Sequence, residues 1–164
     1  MSLSKQVVTG TLVATGIVAV YLFARRLRRL QLNLEALPTA TVYKIDLTGL
    51  TIRVDVVLKN PTNMSLSIKF PFVKILYKGT TIGSSQVMNK DITIPEYGEA
   101  KIERIMINIP LLETFSVAYS LVKTLLTNKE KREPVKVGVT VITTAFVGSM
   151  SMPFNQNYDI PIVN

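Results

Sequence analysis

From Leu50 to Leu58 the chain alternates. Leu50, Ile52, Val54, Val56 and Leu58 are apolar, Thr51, Arg53 and Asp55 are polar, and Val57 alone breaks the polar phase. A side-chain period of two fits a strand half buried in a sheet; a helix face repeats every 3.6 residues instead. The pattern returns at Val135, Val137, Val139 and Val141, in a strand running toward Phe146 that Gly148 breaks. Most of this chain must therefore bury β faces.

Turn signals divide the rest into short strands. The expected strands are Thr41–Leu47, Leu66–Phe70, Phe72–Lys78, Thr81–Met88, Asp91–Ile94, Ala100–Ile109, Ser149–Met152 and Tyr158–Val163. Asn60-Pro61-Thr62-Asn63, Lys78-Gly79-Thr80 and Pro95-Glu96-Tyr97-Gly98 read as turns. The alternation slips phase at Glu103-Arg104, which predicts a bulge. One helix follows Pro110, a residue suited to a first turn. Leu111, Leu112, Phe115, Ala118, Tyr119, Val122, Leu125 and Leu126 form its apolar stripe, opposite Glu113, Thr114, Ser116, Ser120, Lys123 and Thr124, and Asn128 closes it. Seven to nine strands and one packed helix read as a mainly β, antiparallel sandwich over residues 38–164.

The N-terminal 37 residues are different. Val7 to Ala24 is an uncharged run of 18 residues, VVTGTLVATGIVAVYLFA, bounded by Lys5 and Arg25. A bilayer core needs about 20 apolar residues, with a range of about 17–25. Val7, Leu12, Val13, Ile17, Val20 and Leu22 would face lipid, and Tyr21 and Phe23 would sit at the interface. Four arginines follow the run and no small-residue cleavage site precedes them, so an uncleaved transmembrane helix is expected rather than a signal peptide. Gly10 and Ala14 are spaced for close packing of two such spans. Leu27, Leu30, Leu34 and Leu37 keep helical spacing, so the helix is expected to continue to a break at Pro38.

Charge supports this division. The sequence has 19 Lys+Arg and 11 Asp+Glu, and Lys5, Arg25, Arg26, Arg28 and Arg29 precede every acidic residue. Beyond Arg29, 14 basic residues face the 11 acidic ones, which is a poor phosphate track for nucleic acid. Arg25, Arg26, Arg28 and Arg29 are expected to set topology and to grip anionic lipid head groups. The N-terminus would then lie outside and the β domain on the cytoplasmic side. There the sequon at Asn63-Met64-Ser65 would never meet the glycosylation machinery.

Chemistry is scarce. The sequence has no His, Cys or Trp, which removes thiol catalysis, His-based triads and most zinc sites. Asp55 shares a polar face with Arg53 and Lys59 and reads as a solvated ion pair. Glu130 and Glu133 fall in an expected charged loop, and no carboxylate pair has an apolar setting that would tune it for acid–base work. Asn155, Asn157 and Asp159 are the closest oxygen group for calcium, and a polar turn accounts for them. No enzyme activity and no cofactor are expected.

The run VDVVLKNPTNMSLSIKFPFVKILYKGTTIGSSQ resembles the type 2 late embryogenesis abundant family, also called the water stress and hypersensitive response domain. The matching features are Asn60-Pro61 at a strand end, the strand Leu66–Phe70, and Tyr77 leading to Gly79, with Gly83-Ser84 behind. The resemblance spans roughly Pro38 to Val163. It implies an immunoglobulin- or fibronectin-III-like sandwich with one helix, no catalytic residues, and a role in stress or defence. The arginines directly after the span depart from an extracytoplasmic arrangement.

Three roles fit these readings. The first is a membrane-anchored structural or interaction module, with lipid and other proteins as partners. The second is a structural membrane protein of a lipid-containing virion, linking bilayer to capsid shell. In a particle assembled in the cytoplasm, the outer leaflet is the former cytoplasmic leaflet, and the β domain would lie under the shell. The third is a binder of lipid or another apolar ligand, with a cleft beneath the helix. Val13→Arg should cost about 2.5–3.5 kcal/mol of insertion. Carbonate extraction of membranes should then release the variant and retain the wild type.

Overall fold

The computed structural model describes residues 34–46, 48–110, 115–131, 134–147 and 150–163. The expected span Val7–Ala24 and Arg25, Arg26, Arg28 and Arg29 lie outside these residues. So do Leu111, Leu112 and Gly148. Among the described residues no helix is long and apolar enough to cross a membrane.

Nine strands and one helix make up the described chain. In order they are β1 (Glu35–Ile45), β2 (Gly49–Lys59), β3 (Leu66–Lys69), β4 (Phe72–Tyr77), β5 (Thr80–Ser84), β6 (Asp91–Ile94), β7 (Glu99–Pro110), α1 (Phe115–Lys131), β8 (Val135–Val147) and β9 (Met150–Val163). The strands form one sheet in the order β5-β4-β8-β9-β1-β2-β7, with β3 bridging β6 and β8. The sheet curls until its two ends meet, and β5 packs against β7. Gly83 permits this approach. A Cβ there would stand 2.8 Å from Ile109 Cγ1 and 3.0 Å from Ile107 Cγ2.

Alternation explains the core. Ile52, Val54, Val56 and Leu58 of β2 are fully buried, as are Val139 and Val141 of β8 and Ile107 of β7. Val57, the residue out of phase, lies on the opposite face in register with Leu37 and Lys101. The bulge expected at Glu103-Arg104 is present: the β2–β7 register slips between Val54 and Val56, and Arg104 adopts φ 60. Lys78 (φ 50) and Gly79 (φ 79) form the two-residue turn of the β4–β5 hairpin. Positive φ at both positions matches the right-handed twist of the flanking strands.

Several expectations need correction. The helix expected to reach Pro38 is strand β1 from Glu35, so residues 35–37 belong to the sheet. Leu34 and Ala36 alternate into the core, and burial on one face outweighed the helical spacing of the leucines. Pro38 lies within β1, a place open to proline only where no ladder bond needs its missing N–H. Across that edge β9 pairs only at Ala40 and Thr41. This pairing is parallel, so the sheet is not purely antiparallel, and it is continuous rather than two separate sheets. Pro110 ends β7 opposite Gly49 and does not open the helix. β5 stops at Ser84, well short of Met88. The helix runs past Asn128 to Lys131, and Glu130 falls within it.

β9 is one 14-residue strand where two short ones were expected. The residues between them, expected as a polar turn around Asn155, Asn157 and Asp159, continue the strand, and Pro153 and Pro161 lie within it. They stand opposite Thr144 and Lys136 of β8.

On α1, Ala118, Leu121, Val122 and Leu125 are buried, whereas Tyr119 and Leu126 are 57% and 55% exposed. The expected stripe was too wide, since α1 meets β4, β5 and β8 along one narrow face. Leu121→Ala should cost about 2–5 kcal/mol, while Leu126→Ala should stay within about 0.5 kcal/mol. Thermal unfolding of both variants checks this assignment.

Candidate interaction surface

The residues that matched the family motif are structural supports. Asn60 is 1% exposed and fills its hydrogen-bonding capacity. Its Nδ2 donates to Met64 O at 2.7 Å and Pro95 O at 2.8 Å, and its Oδ1 accepts from Thr62 N at 3.1 Å and Thr62 Oγ1 at 2.6 Å. Asn60 N donates to Gly98 O at 2.9 Å, and Tyr97 N to Thr62 O at 2.9 Å. The turn after β2 is thus locked to the turn between β6 and β7. Pro61 forces the chain out of β2 into this turn. The lock also holds Tyr97 at φ 49, a conformation that a residue with a Cβ seldom adopts.

Tyr77 and Gly79 serve a second junction. Tyr77 is buried, and its hydroxyl lies 3.2 Å from Thr124 Oγ1 of α1. Lys78, displayed by the turn at Gly79, reaches Ser120 Oγ at 3.3 Å and covers the Tyr77 ring at 5.3 Å. The hairpin therefore docks the helix. The motif residues make no shared site: Asn60 and Pro61 lie beyond the end of β2, Tyr77 lies against α1, and Gly79 sits in the exposed turn beside it.

Asp55 is more than the solvated ion pair that the sequence suggested. Its carboxylate takes Arg53 in two-pronged fashion, at 3.0 Å from Nε and 2.8 Å from Nη2. It also accepts the Arg104 backbone N–H at 2.7 Å. One aspartate thus ties down the bulge of β7, whose left-handed residue costs of order 1–3 kcal/mol in isolation. Burial alone would push the Asp55 carboxyl up. The hydrogen bonds from Arg53 and Arg104 outweigh it and hold the group below the usual aspartate range. Asp46 is also held low, by Lys44 first and then by Thr48 and Gly49.

Beside the bulge lies a groove of about 270 Å³ between β7 and the segment after β5. Arg104, Met106 and Asn108 line one side, Gln86 and Met88 the other. A second depression, of about 390 Å³, surrounds the Asp46 turn and the end of β7. There Lys44 is engaged by Asp46 at 2.7 Å. Asn155, Asn157 and Asp159 lie along β9 rather than in a turn, and Asn157 is taken by Thr140 at 2.7 Å. Among the described residues no group of three or more acidic side chains could hold a metal ion. The groove was not foreseen; the phase slip at Glu103-Arg104 was its one trace in the sequence.

Solved structures similar to the chain include proteins of an archaeon and of a plant. A protein from Archaeoglobus fulgidus is 13% identical with TM-score 0.44, over 78% of this chain and 96% of that one. A protein from Arabidopsis thaliana is 10% identical with TM-score 0.46, over 80% and 83%. A candidate late embryogenesis abundant protein is 19% identical with TM-score 0.31, over 96% and 87%. At these identities and scores none of them assigns a family, and the architecture rests on the topology described above. No protein-family model matches the chain, and no curated protein matches it either.

Two predictions follow from this geometry. Asn60→Ala takes the amide donor from the Pro95 and Met64 carbonyls, leaving Met64 O only the Thr62 hydroxyl, and should cost about 1–3 kcal/mol in thermal unfolding. The second concerns acid. Because the folded Asp55 carboxyl is held low, the unfolded chain takes up its proton first as pH falls. Its stabilisation is complete above the ordinary aspartate value of about 3.9 and is lost as pH drops through the folded value. Asp55→Asn should flatten the acid limb of a stability-versus-pH curve, with Asp46→Asn as the comparison at an exposed turn. An unchanged acid limb in Asp55→Asn contradicts the assignment.

Proposed function

We propose that this chain is a non-enzymatic structural or interaction module held at a membrane surface. Residues 7–24 span the bilayer, Arg25, Arg26, Arg28 and Arg29 sit among anionic head groups, and the β domain stands on the cytoplasmic side, where it meets other proteins. The observation that carries this reading is the uncharged run between Lys5 and Arg25, joined directly to a β domain of near-balanced charge. The positive-inside bias sets the orientation. The resemblance around Asn60-Pro61 and Tyr77-Lys78-Gly79 favours an immunoglobulin-like, late-embryogenesis-abundant type of module, and with it a stress-related role. The ionisable side chains described support a non-catalytic role. Asp46 and Asp55 are consumed in holding a turn and a bulge, and among the described residues the one carboxylate that lines either depression, Asp46, is taken by Lys44.

Protease added to the cytoplasmic side of sealed vesicles should digest the domain, and the chain should stay in the membrane after carbonate washing. A protected domain overturns the orientation; a chain released by carbonate overturns the anchor. Replacing all four arginines with Gln should scramble the orientation and leave the melting temperature of the domain unchanged.

A further inference from the structure

The groove beside the bulge lies between two incomplete sheet edges. One lip is β7 from Arg104 to Asn108, the last strand of the sheet path, which pairs only with β2 among the described residues; Gly83 of β5 approaches it at Ile107–Ile109, so its edge is open toward Arg104. The other lip is the segment after β5. Its backbone bonds to Val73 at Ser85, and no further backbone bond to a neighbouring strand forms until Lys90 accepts from Phe70. Apolar side chains are left in the open there: Val87 is 83% exposed, and Met88 and Met106 are exposed as well.

The bulge sorts its two charges. Glu103 acts on Arg53, across the outer face of β2 and β7. Arg104 lines the groove, and no acidic residue lines it with Arg104. Asp55 takes the Arg104 backbone N–H. Among the described residues the guanidinium acts on the Asp55 carboxylate only from a distance and has no carboxylate within ion-pair distance.

We propose that this groove binds an extended acidic peptide segment, which adds to the part of the β7 edge that β5 leaves open beside the bulge and sets a carboxylate on Arg104. An unpaired edge supplies main-chain donors and acceptors, and the side chains along it supply selectivity. A guanidinium fork grips a carboxylate in two-pronged geometry. The methionines adapt to varied apolar side chains. The proposal rests on the interaction-module reading and is independent of the membrane span.

The probe is a labelled seven-residue peptide alternating Thr and Val with one central Glu, titrated into the full chain in detergent. Its Gln counterpart is the control. The Glu peptide should bind at least about tenfold tighter, the scale of one charge-assisted hydrogen bond. Arg104→Gln should abolish that difference without weakening the Gln peptide, and Arg104→Lys should restore part of it. Bound peptide should slow amide exchange across Ile105–Asn108. Met88→Glu, a change at an exposed position that lines the groove, should weaken the Glu peptide selectively and covers the case in which Arg104→Gln fails to fold.

Equal affinity for the two peptides, or exchange at β7 that does not respond, overturns the proposal. Competition by laurate that depends on Arg104 and leaves β7 exchange untouched also overturns it, in favour of a lipid. Liposome flotation separates the two readings. A chain that floats but binds no peptide removes the groove alone; one that binds peptide but does not float removes the membrane anchor alone.

Discussion

The side chain of Asn60 joins parts of the chain far apart in sequence. It bonds forward to Thr62 and Met64 and across to Pro95, while its own backbone bonds to Gly98. Those bonds close the turn after β2 and fasten it to the turn that launches β7. Because β2 and β7 pair from Lys59 and Glu99 at this end to Gly49 and Pro110 at the other, the fastening helps set the register of the ladder from its first pair. A buried amide with all its bonds made is favourable, and the same amide with one partner missing is costly. The arrangement therefore tolerates little variation at position 60.

The far side of the sheet depends on a second polar anchor. Asp55 holds the bulge in β7, and the bulge bends the strand and re-aims its side chains. The effect is twofold. An edge strand that would otherwise be long and flat is interrupted, which discourages uncontrolled pairing. Arg104 is also turned away from Glu103 into the groove. A device that protects an edge can in this way make one short portion of it selective.

The helix shows how local pattern and tertiary contact divide the work. Ala118, Leu121, Val122 and Leu125 seat it against the curled sheet, and Tyr77 and Lys78 hold it from the hairpin. Tyr119 and Leu126 have the same apolar character but lie just past the rim of that contact. Their exposure reflects the narrow width of the sheet surface beneath, which no helical period can report.

By itself the sequence determined what depends on neighbours along the chain. The alternation in β2 and β8 specified strands and their buried faces, since period two leaves only one way to hide Ile52, Val54, Val139 and Val141. Lys78-Gly79 specified a tight turn through the φ values that glycine permits, and the slip at Glu103-Arg104 announced the bulge. Only the tertiary structure decided what depends on partners distant in sequence. Glu35–Leu37 became strand because Ala36 and Ala40 had a core to enter. Asp55 became the anchor of a bulge because Arg104, 49 residues onward, folded back to within 2.7 Å of it. Local periodicity carries the geometry of one strand. It carries nothing about which strand lies opposite, and the groove is made of that missing information.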